Sequence, residues 1–442
     1  MPDGNYSTES VRLAKDLQKA LAGLAENLYP HVSNPEGCTK RASVALILRV
    51  RPEYQHWPES SSSQHELLTV ADSLDQFFAQ DWVQHGEPEA AFIKRASRDN
   101  DRWTSHVALP GGKRDPGDAD DRAVAIRETA EEIGLDLTSP HALYVGKLPE
   151  RVVSTSWGKV PIMVLCPFVF LWTKPDLPPL KLQPTEVAST HWVPLRVLLS
   201  PSSRTYEYVD VSDRFSRRGG TMTRAIIRSV LGKMRFSAVR LVPSESLYCS
   251  SIHEFFPRES EVRATSASLI TRVYNWHLGD HAASAEKTRP LLLWGLTLGI
   301  MADFLDQIPP HNAVELWSYP TFTSVDVRWL LSILTGPLKR RNRQRLQAGG
   351  IANQTALDNE TEAVATGTGG NFHCIRGLAD GIKPCSRGLM KSRSYAVGIL
   401  LDGYYDTARK GVWIAAGLRL VATTALIVLA VRRYRTRNSR ST

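Results

Sequence analysis

Residues 111–135, GGKRDPGDADDRAVAIRETAEEIGL, hold a dense set of carboxylate and guanidinium side chains. A Gly-Gly pair opens the stretch, and a run of the form Arg-Glu-x-x-Glu-Glu-x-Gly closes it. The sequence predicts a helix over about 119–133. With about 100° of rotation per residue, Glu128, Glu131 and Glu132 then lie within about 100° of one another. One face of this helix is therefore expected to present three carboxylates.

These crowded carboxylates call for a compensating charge. Like charges one helical turn apart destabilise an isolated helix by roughly a few tenths of a kcal/mol. A hard divalent cation, which prefers oxygen ligands, would offset that repulsion. A solvated acidic face is the alternative for the glutamates alone, and the flanking glycines favour a metal site. The opposite face is expected to pack on a core through Ala123, Ile126, Ala130 and Ile133.

The stretch resembles the Nudix hydrolase box, Gly-x5-Glu-x7-Arg-Glu-U-x-Glu-Glu-x-Gly-U, in which U is a bulky aliphatic residue. The residues that match its second half in register are Arg127, Glu128, Glu131, Glu132, Gly134 and Leu135. Asp118 stands where the first glutamate is expected, with one extra residue before Arg127, and Thr129 occupies an aliphatic position. The opening Gly-Gly-Lys-Arg-Asp is similar to that of the coenzyme A diphosphatase branch, where the extra residue is familiar.

The resemblance implies an α/β fold, a Nudix-type α/β/α sandwich with a mixed sheet, and Mg²⁺ or Mn²⁺ as cofactor. It implies hydrolysis of the diphosphate bond of a small-molecule substrate, a nucleoside diphosphate linked to another moiety, with coenzyme A or its derivatives as candidates. The run before the glycines keeps Arg102, Val107 and Pro-Gly-Gly of the coenzyme A motif, but lacks its histidine, inner glycine and phenylalanine. Trp103 is a candidate for stacking on a base, with a buried structural tryptophan as the alternative. His106 and His191 are interpreted as structural histidines.

The resemblance and the chemistry of a diphosphate together suggest a role for each candidate residue. Glu128 and Glu132 are the predicted main metal ligands, and Glu131 is a third ligand or the base that activates water. The catalytic candidates are Glu131, Glu132 and Arg127, and the resemblance implies that the arginine orients a glutamate of the box through an ion pair. A membrane-tethered nucleotide-binding or regulatory module with little turnover is the alternative function. The three crowded carboxylates argue against it, because a binding module does not need them.

Four residues are predicted to bind the substrate. Gly111 and Gly112 let the backbone approach the metal or the phosphates, because they carry no Cβ atom. Lys113 is a candidate phosphate contact, with a solvated loop charge as the alternative. Arg95 ends a predicted strand and matches an arginine of the coenzyme A motif, so it is expected to bind the diphosphate or a 3′-phosphate.

Helix and strand patterns alternate around this stretch, as expected of a layered α/β domain. An amphipathic helix is predicted over about 10–28 and another helix near 67–78. Predicted strands cover Ser43–Val50, Ala90–Arg95, Trp103–Leu109, Leu143–Leu148 and Val160–Trp172. Pro167 is expected to bend the last of these strands or to place it at an edge.

The chain is predicted to divide into a catalytic domain with extensions at both ends. The predicted parts are an N-terminal helix (1–40), a Nudix domain (41–307) with insertions at 51–88 and 200–285, a basic and flexible linker (308–372), a juxtamembrane segment (373–410), a transmembrane helix (411–431) and a basic tail (432–442).

Composition limits the class of protein. The chain has 442 residues, of which 42% are hydrophobic and 22% charged, so it is globular rather than disordered or collagenous. Its five cysteines form no CxxC pair, which suits a reducing, intracellular compartment. The net charge is +9, with basic clusters at 339–345 and 432–440. Both clusters lie outside the predicted catalytic domain, and no nucleic-acid partner is expected.

Residues 411–431 are apolar over about the length needed to cross a bilayer, and Arg419 is their only charge. An arginine near the middle of a span costs roughly 2.5–3.5 kcal/mol, which the other residues can offset. A tail anchor is therefore expected, with the catalytic domain in the cytosol; a surface-lying helix and a soluble helix are the alternatives. A short span with a basic tail resembles outer mitochondrial or peroxisomal anchors.

Overall fold

The computed structural model describes residues 3–27, 29–58, 69–97, 105–155, 160–210, 232–251, 290–309, 311, 317–366 and 396–438. The strands are β1 (Arg41–Arg51), β2 (Glu87–Arg95), β3 (Val107–Ala108), β4 (Gly111–Lys113), β5 (Ala142–Lys147), β6 (Arg151–Thr155), β7 (Val160–Trp172), β8 (Val187–Pro194), β9 (Arg204–Val209), β10 (Met234–Arg240), β11 (Glu245–Tyr248), β12 (Leu292–Trp294) and β13 (Thr321–Phe322). The helices are α1 (Asp3–Glu26), α2 (Val70–Phe78), α3 (Asp81–His85), α4 (Asp121–Ile133), α5 (Leu195–Leu199), α6 (Gly295–Leu305), α7 (Val325–Thr366), α8 (Ala396–Leu401) and α9 (Tyr404–Asn438).

A mixed sheet forms the centre of the molecule. Its strand order is β11-β8-β2-β1-β7-β5, and β3, β4 and β6 pair with β2, β1 and β7. β1 and β7 run parallel, whereas β2 pairs antiparallel with β1. β1 is rich in Val, Leu and Ile and β7 in Val, Leu and Phe, as expected of strands whose two faces are both buried.

Side chains alternate along the central strands, and each face of the sheet supports its own core. On one face, Leu46 and Leu48 of β1 pack with Leu17 and Leu21 of α1. On the other face, Ile47 belongs to a second cluster together with residues of α4. The layers are helix, sheet and helix, which confirms the predicted α/β/α sandwich with a mixed sheet.

Pro167 was expected to bend β7 or to place it at an edge, and the edge placement is wrong. Pro167 lies opposite Val44 of the parallel neighbour β1 and is buried. On the other side of β7, the partner changes from β6, which pairs up to Leu165, to β5, which begins opposite Phe168. Because proline has no amide hydrogen, the junction between two partner strands is where it disrupts the ladder least.

The segment predicted as an insertion at 200–285 contributes to two sheets. β11 extends the central sheet beside β8. β9 and β10 form a second, antiparallel sheet with β12 and β13. Residues 211–231 and 252–289 lie outside the described residues. The division of the chain into domains stays a prediction.

The C-terminal part differs from the predicted flexible linker at 308–372. The helix α7 continues to Thr366, because residues such as Ala, Leu, Gln and Glu favour helix even where few bulky apolar side chains are present. Its first turns pack against α9, with Val327 and Leu331 buried. Within the described residues, the segment Val397–Thr436 is long and apolar enough to cross a membrane, and only 6% of its most apolar window is buried.

Candidate active site

The helix α4 is fixed at both ends by its own sequence. The carboxylate of Asp120 accepts a hydrogen bond from the amide of Ala123, which caps the first turn. Gly134 ends the helix in the left-handed region, with φ of 72°, where glycine carries no steric cost. Thr129, in an aliphatic position of the box, is buried and satisfies its hydroxyl by donating to the carbonyl of Ala125.

The predicted core face of α4 is right for Ile133 and wrong for Ala130. The helix buries Val124, Ala125, Thr129, Glu132 and Ile133, whereas Ala130 is exposed and Ala123 and Ile126 are only half-buried. Glu128 and Glu132 thus turn inward, toward the glycine strand β4, whereas Glu131 stays exposed. A metal site between helix and loop requires this orientation, and hydrophobic periodicity alone could not reveal it.

Two glutamates of α4 contact the glycine strand. The amide of Gly111 donates to the carboxylate of Glu132 at 2.9 Å. A Cβ atom on Gly112 would lie 2.2 Å from the carboxyl carbon of Glu128, and one on Gly111 would lie 2.2 Å from the carbonyl oxygen of Ser43. Neither position tolerates a side chain without displacement, so the two glycines permit this close approach.

Glu132 is buried, with 1% of its surface exposed. Burial raises its pKa to about 8, although the Gly111 amide and the guanidinium of Arg95 both act to lower it. Arg95 Nη1 lies 3.9 Å from the Glu132 carboxylate. Burial also raises the pKa of Glu128, against the opposing effect of Arg127. The two carboxyl groups are therefore held where a cation would stabilise their ionised form.

Arg127 is held in place by several acceptors at the mouth of the site. Its Nε and Nη2 donate to the two carboxylate oxygens of Asp118 at 2.9 and 3.0 Å. Its Nη1 donates to Glu128 at 3.1 Å and to Glu131 at 3.0 Å. The bidentate pair lowers the pKa of Asp118. An aspartate in place of the first glutamate of the box thus positions the arginine, which in turn holds Glu128.

The other predicted site residues lie farther from this cluster. Glu131 has a side chain that is 58% exposed and points to Arg127 rather than to Glu132. Lys113 is exposed, and its carbonyl accepts from Arg127. Arg102 and Trp103 lie outside the described residues. His191 is buried between the hydroxyls of Ser189 and Ser246, as expected of a structural histidine, and burial lowers its pKa to about 4.

Glu186 is a candidate site residue that the sequence did not reveal. Carboxylate oxygens of Glu128, Glu132 and Glu186 lie within 4.8 Å of one another. The backbone carbonyl of Glu186 accepts from the amide of Ala96, directly after Arg95. Glu186 reaches the site because β8 pairs with β2, and only the sheet topology brings residues so distant in sequence together.

The three carboxylates fit a divalent cation. Their oxygen donors match the preference of Mg²⁺ and Mn²⁺, and two of them carry raised pKa values that a cation would reverse. Within the described part of the chain, we call Glu128, Glu132 and Glu186 the carboxylate cluster.

Arg41 holds the N-terminal end of α4 in place. Its Nε donates to Asp121 at 2.7 Å, and its Nη2 donates to Glu150 at 2.8 Å. All three side chains are largely buried. Because a buried charge without a partner is costly, this network fixes the helix relative to β1 and to the turn before β6.

Comparisons with known proteins agree with this geometry. The family model described as NUDIX domain matches residues 82–213. An uncharacterized protein of Schizosaccharomyces pombe is 34% identical over 74% of this chain and 83% of its own length. A mitochondrial coenzyme A diphosphatase of Mus musculus is 43% identical, but over only 13% of this chain and 27% of that protein. A peroxisomal coenzyme A diphosphatase of Mus musculus is 52% identical over 10% of this chain and 17% of that protein.

Solved structures that are similar to this chain superpose on it with low TM-scores. A MutT/nudix family protein from Enterococcus faecalis has a TM-score of 0.23 and 14% identity, covering 42% of this chain and 55% of that chain. Because the family model coincides with α4 and the carboxylate cluster, and the Schizosaccharomyces pombe relative is similar over most of its length, the chain belongs to the Nudix hydrolase family.

Proposed function

We propose that this hydrolase cleaves the diphosphate bond of a nucleoside diphosphate linked to another moiety, with coenzyme A or a derivative as the leading candidate. The observation that carries the proposal is the convergence of Glu128, Glu132 and Glu186, whose carboxylate oxygens lie within 4.8 Å of one another. A diphosphate concentrates negative charge, and these oxygens would hold the cation that neutralises it. Short matches to two coenzyme A diphosphatases support the choice of substrate.

Residues of the chain would hold Mg²⁺ or Mn²⁺ through the carboxylate cluster. When bound, such a cation acts as a Lewis acid on phosphate oxygens and lowers the pKa of a coordinated water. Arg127 fixes the Glu128 carboxylate, and the Gly111 amide fixes that of Glu132. Arg95 lies beside Glu132 and would pair with a phosphate oxygen of the substrate. We assign Glu186 as the third ligand in preference to Glu131, which Arg127 holds at the exposed edge.

The assignment is tested with the full chain in detergent, in Mg²⁺, on coenzyme A, ADP-ribose, NADH and diadenosine polyphosphates. The Glu132→Gln and Glu186→Gln variants are expected to lose at least about 100-fold in kcat on whichever substrate is cleaved, whereas Glu131→Gln retains more activity. The exposed Glu36 offers a matched control, and Glu36→Gln should equal the wild type. Full activity of Glu186→Gln would contradict its role. Turnover on none of these compounds would favour the binding-module alternative.

We further propose that α9 anchors the protein in an intracellular membrane, on the outer mitochondrial or peroxisomal surface. Leu420, Val421, Leu426 and Ile427 are all more than 60% exposed, which is unfavourable in water. The single charge of the apolar stretch, Arg419, pairs with Asp326 of α7. A paired arginine costs less within or near a bilayer than an isolated one.

Carbonate extraction of membranes tests the anchor. The full chain should stay in the pellet, and a chain ending at Lys410 should be released. Release of both proteins would contradict the anchor. Imaging of the tagged full chain against mitochondrial and peroxisomal markers then tests the choice of membrane, which exclusive labelling of another membrane would overturn.

A further inference from the structure

Three aromatic rings lie together outside the box: that of His106, directly before β3, and those of Phe236 on β10 and Trp294 on β12. The ring centroids of His106 and Trp294 are 4.8 Å apart at 63°, and those of Phe236 and Trp294 are 5.6 Å apart at 41°. All three side chains are half-buried. We call them the aromatic platform. Among the described residues, Phe236 packs at the margin of a core cluster, whereas Trp294 and His106 belong to none of the clusters.

Backbone pairing connects the aromatic platform to the carboxylate cluster. The amide of Arg95 donates to the carbonyl of His106 at 3.0 Å. In the same pairing, Ile93 lies opposite Ala108, and both contribute to the core on the α4 face of the sheet. Because side chains alternate along a strand, His106 and Arg95 are placed on that same face.

The backbone limits the distance between the platform and the cluster. Gly111, whose amide contacts Glu132, lies five residues after His106, and a fully extended chain of that length spans at most about 18 Å. Arg95 bridges part of this gap, since its backbone meets His106 and its guanidinium lies 3.9 Å from Glu132. A diphosphate held at the cluster would therefore carry its nucleoside toward the platform.

Pairing within the second sheet positions the indole ring of Trp294. Trp294 lies opposite Ala238 of β10, and Phe236 is two residues before Ala238, so the two aromatic side chains share one face of that sheet. The residue before Trp294, Leu293, points the other way and is fully buried in the main core. Trp294 is thus held by a buried neighbour while its own ring stays half-exposed.

We propose that the aromatic platform binds the base of the substrate nucleotide, with Trp294 as the stacking surface and His106 and Phe236 beside it. This inference rests on the proposed function, because the base reaches the platform only when the diphosphate lies at the cluster. Every nucleobase has a π face that stacks favourably on indole and phenyl rings. Packing between the two sheets is the competing explanation of the platform.

Steady-state kinetics of the full chain separate these explanations. Trp294→Ala should raise KM for coenzyme A or ADP-ribose about 10-fold or more, with kcat changed by less than about 2-fold, and Trp294→Phe should restore most of the affinity. An analogue of ADP-ribose with hydrogen in place of adenine should be cleaved equally well by the wild type and Trp294→Ala. Equal losses on both substrates would overturn the proposal in favour of a packing role. Trp57→Ala, at a 52% exposed tryptophan, serves as the control.

A binding measurement keeps the inference distinct from the proposed function. ADP should bind the wild type and Trp294→Phe in equilibrium dialysis, and binding to Trp294→Ala should weaken by the same factor as KM. The difference in tryptophan fluorescence between the wild type and Trp294→Phe should be quenched by ADP. If ADP binds in this way but no substrate is cleaved, the hydrolase proposal is contradicted and the role of the platform in base binding is supported. If substrates are cleaved but ADP binding is the same in the wild type and Trp294→Ala, only the role of the platform is contradicted.

Discussion

At the scale of single residues, burial decides the chemistry of Glu132. A carboxylate on the acidic face of a helix is ordinarily solvated, but this one is 1% exposed and accepts the Gly111 amide. The sequence predicted Glu132 as a metal candidate from its spacing to Glu128. It could not predict the extent of burial, which depends on the direction in which α4 turns.

Glu186 was not predicted for a similar reason. It is about 50 residues away in sequence and joins the site only through the pairing of β8 with β2.

Metal binding should be coupled to the ionisation of Glu132. With a pKa of about 8, this carboxyl is mostly protonated at pH 7 in the metal-free protein, and a metal ligand must lose its proton. The affinity for Mg²⁺ is therefore expected to rise with pH up to about 8 and then to level off. Isothermal titration calorimetry in buffers of different ionisation enthalpy should show release of about one proton at pH 7. Glu132→Gln should abolish the release, and a pH-independent affinity in the wild type would contradict this account.

The same shift predicts how metal-free stability depends on pH. Burial raises the folded pKa of Glu132 from its usual value of 4.5 to about 8, so the stability that this group contributes is fully present below about pH 4.5 and is lost as pH rises through 8. In EDTA, Tm is expected to fall between pH 5 and 8 more steeply for the wild type than for Glu132→Gln. Parallel curves for the two proteins would contradict the assigned burial.

Arg127 should act as one unit with Asp118. Arg127→Lys keeps the charge but loses the two-pronged contact, and it is expected to lower kcat about 10-fold by loosening Glu128. Asp118→Asn should cost a similar factor, and the double variant little more than either single one, because they remove the same interaction. Arg12→Lys, at a side chain that is 80% exposed, is the control. Strictly additive losses in kcat would show that the two residues act independently.

At the scale of elements, the sequence predicted the existence of α4 and its approximate ends, and it predicted β7 with the bounds that the structure has. Capping residues and continuous apolar runs are local signals, which explains this success. The inward turn of Glu128 and Glu132 was not predicted, and one of the two expectations for Pro167, an edge strand, was wrong. Both depend on partners that come from other parts of the chain, namely the glycine strand for α4 and the change from β6 to β5 for Pro167.

The fit between the glycine strand and α4 can be tested with a matched pair of variants. Gly112→Ala places a methyl group where the Glu128 carboxylate lies, and it should weaken Mg²⁺ binding and lower kcat/KM at least about 10-fold. Gly117→Ala adds the same methyl group where nothing lies within 4 Å, and it should leave both quantities unchanged. Equal behaviour of the two variants in calorimetry and kinetics would contradict the close approach of loop and helix.

At the scale of the whole molecule, the α/β sandwich and the C-terminal helices form a continuous structure. The alternation of helix and strand patterns predicted a layered α/β domain, the resemblance to the Nudix box implied the sandwich, and length and composition predicted the apolar terminal helix. The sequence predicted a flexible linker where α7 lies, since a helix with few apolar residues gives little periodic signal. The pairing of Arg419 with Asp326 could not be predicted, because it depends on the antiparallel packing of α7 and α9.

The ion pair between α7 and α9 should support membrane anchoring. Asp326→Asn leaves Arg419 without its charged partner, so the fraction of protein released by carbonate is expected to increase. Arg419→Leu in the same chain should reverse that increase by removing the unpaired charge. Asp406→Asn, at an exposed carboxylate earlier in α9, is the control and should behave as the wild type. Unchanged extraction of Asp326→Asn would show that the pair has no part in anchoring.

The central claim is that the carboxylate cluster supports hydrolysis of a diphosphate bond. Its most direct test is phosphorus NMR of the full chain with Mg²⁺ and either ADP-ribose or coenzyme A, comparing the wild type, Glu132→Gln and Glu36→Gln. We predict that the wild type and Glu36→Gln convert the diphosphate resonances of at least one substrate into phosphomonoester resonances, and that Glu132→Gln leaves them intact over the same period. Intact diphosphate with the wild type, or equal conversion by Glu132→Gln, would contradict the claim.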